Sequence, residues 1–119
     1  MPMVEIPSVY ESMSPPEKEV AEFLKSKGIW WIYEQPLFVT DDKFRPRIWT
    51  PDFFLPNLGV YVEVCGSSKT DYSFRKMVYK LEEAVVIFLH TYKKGWKYFL
   101  VKRLQEIHDK RKEIMKGFY

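Results

Sequence analysis

Apolar and polar positions change rhythm several times along the chain. Val20, Ala21, Phe23 and Leu24 recur at helical spacing and form one apolar stripe. The segment Ser14-Pro15-Pro16-Glu17 predicts where that helix starts. Ser14 is an N-cap, Pro15 suits the first helical position, and Glu17 can reach back as a capping box. Lys25 and Lys27 favour the negative end of the helix dipole, and Gly28 is its C-cap. From Ile29 to Phe38 the period shortens to two, with Trp31 and Tyr33 on one face and Trp30 and Ile32 on the other, which predicts a strand. Asp41-Asp42-Lys43 predicts a turn, and Phe44 leads out of it. Residues 1–13 carry no convincing period and read as irregular.

The middle of the chain reads as a hairpin. Trp49 to Leu55 is aromatic and branched, as strands tend to be, and Val60 to Val64 is β-branched until Gly66 stops it. Pro56-Asn57-Leu58-Gly59 between them is turn chemistry. Alternation puts Val60, Val62 and Val64 on one face and Tyr61, Glu63 and Cys65 on the other. Ser67 to Asp71 reads as a loop whose Ser or Thr caps a second helix. That helix has Phe74, Met77, Val78 and Leu81 on one side, with Arg75, Lys76, Tyr79 and Lys80 on or near the other. Ala84 to Leu89 is the most hydrophobic run and predicts a fully buried central strand. Lys93-Lys94-Gly95 predicts a turn, Trp96 to Val101 a further strand, and Leu104, Ile107, Ile114 and Phe118 the stripe of a closing helix. The predicted order is helix, three strands, helix, strand, strand, helix: an α/β fold in one domain over residues 1–119, without repeats.

Composition narrows the options. With 119 residues, 46% hydrophobic and 18% aromatic, the chain can build one packed core. Its net charge of +3 suits a polyanionic partner without demanding one. A single Cys excludes an internal disulfide and a Cys-cluster zinc site, and two His argue against a His-rich metal centre. No run reaches the length of a membrane helix, and the start lacks a basic region followed by an apolar one, so the expectation is a cytoplasmic protein with no membrane association. Few Asn and Gln against many Lys and Glu is a hyperthermophile bias and points to a hot source.

Two carboxylates, Asp52 and Glu63, interrupt strands that otherwise read as buried. A carboxylate on an inner face is costly unless paired or bound to a metal. Two on adjacent hairpin strands could share one divalent cation through hard oxygen ligands. The spacing Pro51-Asp52, then Glu63-Val64-Cys65, within Thr50-Pro51-Asp52-Phe53 and Val60-Tyr61-Val62-Glu63-Val64, resembles the PD-(D/E)xK nuclease superfamily. The predicted αβββαβ order is similar to that superfamily's restriction-endonuclease-like core, a mixed sheet flanked by helices. It would cover about residues 14–90, with residues 91–119 as an added C-terminal strand and helix. Ser14, Glu17, Leu24, Gly28, Ile29, Trp31, Tyr33 and Glu34 resemble, in order, a pattern of its TnsA-like and very-short-patch-like small endonucleases.

The resemblance implies a metal-dependent DNA endonuclease that leaves 5′-phosphate and 3′-hydroxyl ends. It implies Mg²⁺ or Mn²⁺ held by Asp52, Glu63 and the Val64 carbonyl, with Glu17 as a further ligand, and no small-molecule cofactor. Glu17 is equally well explained by its capping box. The departure is Cys65, which stands where the superfamily places a catalytic Lys. A thiol cannot supply that positive charge, so either catalysis is weak or absent, or Lys69, Lys76 or Lys80 supplies the cation, with Lys76 favoured. Arg45, Arg47, Lys69, Arg75 and Lys80 are the candidate contacts to DNA phosphates. Lys102-Arg103 and Lys110-Arg111-Lys112 read as a solvated helix face, with DNA tracking as the other reading. One catalytic core cuts one strand, so a double-strand break implies a homodimer, with the last helix as its face. A nuclease-like DNA-binding or assembly subunit without catalysis, and an unrelated α/β interaction domain, are the competing readings.

Overall fold

The computed structural model of the chain describes residues 8–117. A short 3-10 turn, Val9–Ser12, leads into α1, Pro15–Ser26. Strands β1 (Ile32–Tyr33), β2 (Leu37–Thr40), β3 (Pro46–Trp49), β4 (Phe53–Leu55) and β5 (Val60–Cys65) follow, then α2 (Ser73–Leu81), β6 (Val86–His90) and α3 (Trp96–Lys116). The main sheet has the order β1-β4-β5-β6, and β2 with β3 form a separate two-stranded ribbon. Strand β5 pairs antiparallel with β4 and parallel with β6, so the sheet is mixed. The parallel pair needs a crossover, which α2 provides. Along the main sheet the order is therefore α1, three strands, α2, one strand, with the ribbon inserted between β1 and β4. No helix among the described residues is long and apolar enough to cross a membrane.

Each face of the sheet carries its own cluster. On one side Val20, Ala21 and Leu24 of α1 and Leu100 and Leu104 of α3 close over Phe53, Val60, Val62, Ile87 and Leu89. On the other side Val78 and Tyr79 of α2 meet Val39 of the ribbon, with Trp49, Val86 and Phe88 packed around them. The alternation along β5 is as the sequence predicts: Val60 and Val62 enter the first cluster, and Glu63 faces α2. Ser14 caps α1 as predicted, accepting the Glu17 N–H and donating its hydroxyl hydrogen to the Glu17 carboxylate. Gly28 takes a left-handed φ of 68° just past the helix, a conformation that suits glycine.

Several expectations are corrected: the run predicted as a fully buried central strand forms β6, the edge strand of the main sheet, with only Ile87 and Leu89 buried. Trp96 to Val101 is the first turn and a half of α3, and among the described residues no strand follows β6. The aromatic run imitates a strand locally, but Trp96, Leu100, Leu104 and Ile107 continue one helical stripe that packs on the sheet. The C-terminal addition is thus a helix alone. Ile114 in that helix is exposed rather than core-facing, and Phe118 lies outside the described residues. The predicted strand Ile29 to Phe38 breaks at Glu34, which adopts φ 57°, and continues as two short strands in different sheets. Trp49 to Leu55 likewise divides at Thr50-Pro51-Asp52, because Trp49 belongs to the ribbon and Phe53 to the main sheet. On α2 the buried pair is Val78 and Tyr79, while Phe74, Met77 and Leu81 are exposed. The N-cap there is Tyr72, without a side-chain cap, and the Asp71 carboxylate before it accepts the N–H and hydroxyl of Ser73.

Candidate active site

Strand register brings the two carboxylates together. Phe53 of β4 is paired with Val62 of β5, so Asp52 and Glu63 are the next opposed pair, at the point where β4 ends. Directly opposed side chains share a face, and like charges there are unfavourable. Asp52 is locked by its own backbone surroundings. Its Oδ2 accepts the Val64 N–H at 2.6 Å, taking the place of a strand partner. Glu63 is only 7% exposed and is reached from α2 by two residues one turn apart. Tyr79 Oη donates to Glu63 Oε2 at 3.4 Å, and Arg75 Nη1 lies 3.5 Å from Glu63 Oε1. A small cleft lined by Ile48, Trp49, Thr50, Glu63, Arg75 and Tyr79 opens between the ribbon and α2 over this carboxylate. Trp49 forms its wall, edge-on to the rings of Tyr79 and Phe74.

Both carboxyls bind protons more tightly than ordinary Asp and Glu. For Asp52, burial is the main cause and the nearby Glu17 charge adds to it, while the Val64 N–H pulls the other way. For Glu63, burial again comes first and the Asp52 charge second, opposed by Arg75 and Tyr79. Tyr79 in turn holds its own proton more firmly, through burial and then the Glu63 charge. The pair is therefore an acidic cluster that its donors compensate only in part, and perturbed carboxyls of this kind recur at functional sites.

Glu17 stands at the margin of this pocket. Ser14 Oγ donates to one of its oxygens at 2.9 Å and Tyr33 Oη to the other at 2.5 Å. Glu34 touches the site through its backbone, its N–H donating to the Asp52 carbonyl at 2.9 Å. Among the described residues no group of three His, Cys, Asp or Glu side chains is arranged to hold a metal ion. The donors that do converge are the two carboxylates, Asp52 and Glu63. That set fits Mg²⁺, which is commonly bound through one or two carboxylates with water and substrate phosphate completing its shell. Val64 is tied into the site by its N–H.

No protein-family model matches the chain, and no curated protein or solved structure is significantly similar to it. The site must therefore be read from its own chemistry. Cys65 is fully buried, and burial pushes its thiol up to about 11 despite the Lys76 charge nearby. It is a neutral thiol at physiological pH, unsuited to act as a nucleophile or a cation. Lys76 is directed to the neighbouring strand, with Nζ 5.2 Å from the Phe88 ring centre. The cation that touches the carboxylate pair is Arg75, which the sequence assigned to phosphate contacts in general. Its spacing of four from Tyr79 is the signal that would have found it, because positions i and i+4 share a helix face.

The other cations are distributed. Arg45 and Arg47 both pair with Asp41 in the ribbon, at 3.0 and 3.1 Å. Lys69 is exposed in the loop after β5, and Lys80 is exposed on α2.

Proposed function

We propose that this chain is a metal-dependent DNA endonuclease built on a restriction-endonuclease-like core. The observation that carries the reading is the Asp52–Glu63 pair: opposed across β4 and β5, Glu63 buried and Asp52 partly so, with one arginine reaching Glu63 alone. Two facing carboxylates in a partly buried place repel one another beyond what their donors offset, and a divalent cation between them would relieve that cost. The order α1, three strands, α2, strand along the main sheet supports the fold reading.

When bound, Mg²⁺ or Mn²⁺ supplies Lewis acidity toward a phosphate oxygen and toward water. Asp52 and Glu63 supply the hard oxygen ligands, and the Val64 N–H keeps Asp52 aimed into the site. Arg75 offers a forked set of donors to phosphate oxygens, where charge develops during hydrolysis. It takes the electrostatic role that buried Cys65 cannot fill. Tyr79 holds Glu63 in position. The reaction is attack of water on a phosphodiester with loss of the 3′ oxygen, leaving 5′-phosphate and 3′-hydroxyl ends. Cys65 also supports a second reading, in which the chain binds DNA without cutting it.

Labelled linear, nicked and branched DNA incubated with Mg²⁺ or Mn²⁺ separates these readings. Cutting by the wild type and none by Asp52→Ala supports the nuclease. Cutting by Cys65→Lys alone supports the binding subunit. No cutting by either protein, with no binding of DNA or metal, would remove both.

A further inference from the structure

A groove runs along the open edge of β6, between α2 and α3. Its lining includes Lys76, Lys80 and Arg103 and contains no carboxylate. Arg103 does contact Glu106 on its own helix at 3.1 Å. Glu82, close in sequence, is turned away, with its carboxylate accepting the Thr40 N–H in the ribbon. The groove floor is apolar, and Phe99, which is 44% exposed, stands in its wall. One end meets the candidate active site: Phe88, under the Lys76 ammonium, is the parallel-strand partner of Glu63. Arg75, one position before Lys76, contacts that same Glu63.

We infer that this groove binds an unpaired nucleic-acid strand, with phosphates on Lys76, Lys80 and Arg103 and a base stacked on Phe99. Positive side chains that follow a backbone, combined with an aromatic platform, form the general recognition surface for single strands. An added peptide strand fits less well. Tyr61 N–H bonds to the Val85 carbonyl and Thr91 N–H to the Cys65 carbonyl, so Val85 and Thr91 face β5 and the alternate residues face outward. The His90 carbonyl is already taken by the Lys93 N–H. That leaves the Val86 and Phe88 carbonyls and the outward N–H groups of Val86, Phe88 and His90 on this edge, but the groove's cations, Lys76, Lys80 and Arg103, favour a polyanionic backbone over an uncharged peptide. The inference deepens the proposed function by naming its substrate as DNA with an unpaired segment beside the cut. It rests on that function for nucleic acid as partner, but not on hydrolysis.

The test is fluorescence anisotropy of a labelled 20-nucleotide oligo(dT) and of a duplex of equal length, in EDTA, with the intact chain. The variants are Lys76→Gln/Lys80→Gln/Arg103→Gln and Phe99→Ala, with retained folding checked by circular dichroism. The wild type should favour the single strand. The triple variant should bind it at least about 10-fold more weakly, and the slope of log K against log salt should shrink by about 2, three phosphate contacts at about 0.7 each. Phe99→Ala should weaken single-strand binding about 5-fold or more and leave duplex binding unchanged. Equal binding of strand and duplex, or an unchanged salt slope in the triple variant, overturns the inference. Displacement of oligo(dT) by an oligoglutamate peptide at equal charge concentration overturns it in favour of an acidic partner. Cleavage is read separately. A wild type that binds the strand but never cuts sinks the nuclease and leaves the groove standing. A wild type that cuts while the triple variant binds normally does the reverse.

Discussion

Two buried acidic places in this molecule have opposite surroundings. In the ribbon, Asp41 accepts the backbone N–H groups of Lys43 and Arg45 and the side chains of Arg45 and Arg47. Those donors, the Arg45 N–H first, hold its carboxyl well below the usual carboxylate range. In the main sheet, Asp52 and Glu63 face each other with one backbone N–H, one tyrosine and one arginine between them, and both are held above that range. The first place is a finished structural joint that closes the β2–β3 turn. The second is only partly compensated, and in the proposed function a divalent cation completes it. Burial of an acid is therefore not the functional signal here; burial without sufficient compensation is.

The largest expected effect breaks the two places apart by function. Asp52→Ala should reduce cleavage to background while the chain still folds. Asp41→Ala should lower the melting temperature by several degrees yet leave cleavage per folded molecule unchanged, because the ribbon joint touches neither metal ligand nor phosphate. Arg75→Ala should lower the cleavage rate about 100-fold, as loss of one charge-stabilising donor does elsewhere. Lys76→Ala should cost much less at saturating DNA. Single-turnover rates with matched thermal melts check all four proteins, and a larger loss in Lys76→Ala than in Arg75→Ala would return the catalytic role to Lys76.

The next effect concerns pH and runs in opposite directions. A carboxyl whose folded pKa is raised binds more protons folded than unfolded. Its contribution is present below the unfolded value, about 4, and is lost as pH rises through the folded value. The Asp52–Glu63 pair should therefore favour folding at acid pH and oppose it toward neutrality. Asp41, with its folded pKa depressed, contributes stability above about pH 4 that is lost as pH falls through its folded value. Denaturant unfolding from pH 3 to 8 tests both signs. Glu63→Gln should gain about 1 kcal/mol at pH 7 and nothing near pH 4. Asp41→Asn should lose stability at pH 7. A Glu63→Gln variant that is less stable at pH 7 would contradict the account of the pair.

The smallest effect refines the comparison within the site. Tyr79→Phe removes one of the donors that partly compensate Glu63, so it should destabilise the fold by about 1 kcal/mol and raise the Glu63 pKa further. Side-chain carboxyl NMR titration of wild type and variant reads this directly. No upward movement of the Glu63 resonance midpoint would mean that the contact across 3.4 Å carries no weight.

Much of this was legible in the chain because the physics is local. The Ser14 cap of α1, the turn at Pro56–Gly59 and the shared face of Val60, Val62 and Val64 each depend on neighbours within a few residues, and the structure has all three; the Glu17 carboxylate meets the Ser14 hydroxyl rather than its backbone N–H. The Asp52–Glu63 juxtaposition was legible too, since a short hairpin sets its own register. What failed depended on distant partners. The run at Trp96 is strand-like in composition, and only its packing against the sheet makes it helix. The sequence offers Arg45 and Arg47 as phosphate contacts and Asp41 as a turn residue, and only the folded ribbon joins the three. Arg75 reads from the sequence as one of several phosphate contacts, because its place beside Glu63 depends on how α2 packs against the sheet, with Tyr79 buried one turn on.

The central claim is that Asp52 and Glu63 form a divalent-cation site, and isothermal titration with Mn²⁺ at pH 7.5 and 5.5 tests it most directly. The account predicts one ion per chain at pH 7.5, weaker binding at pH 5.5 with release of protons, and loss of binding in both Asp52→Asn and Glu63→Gln. No binding by the wild type at millimolar Mn²⁺, or binding that survives both substitutions, would contradict it.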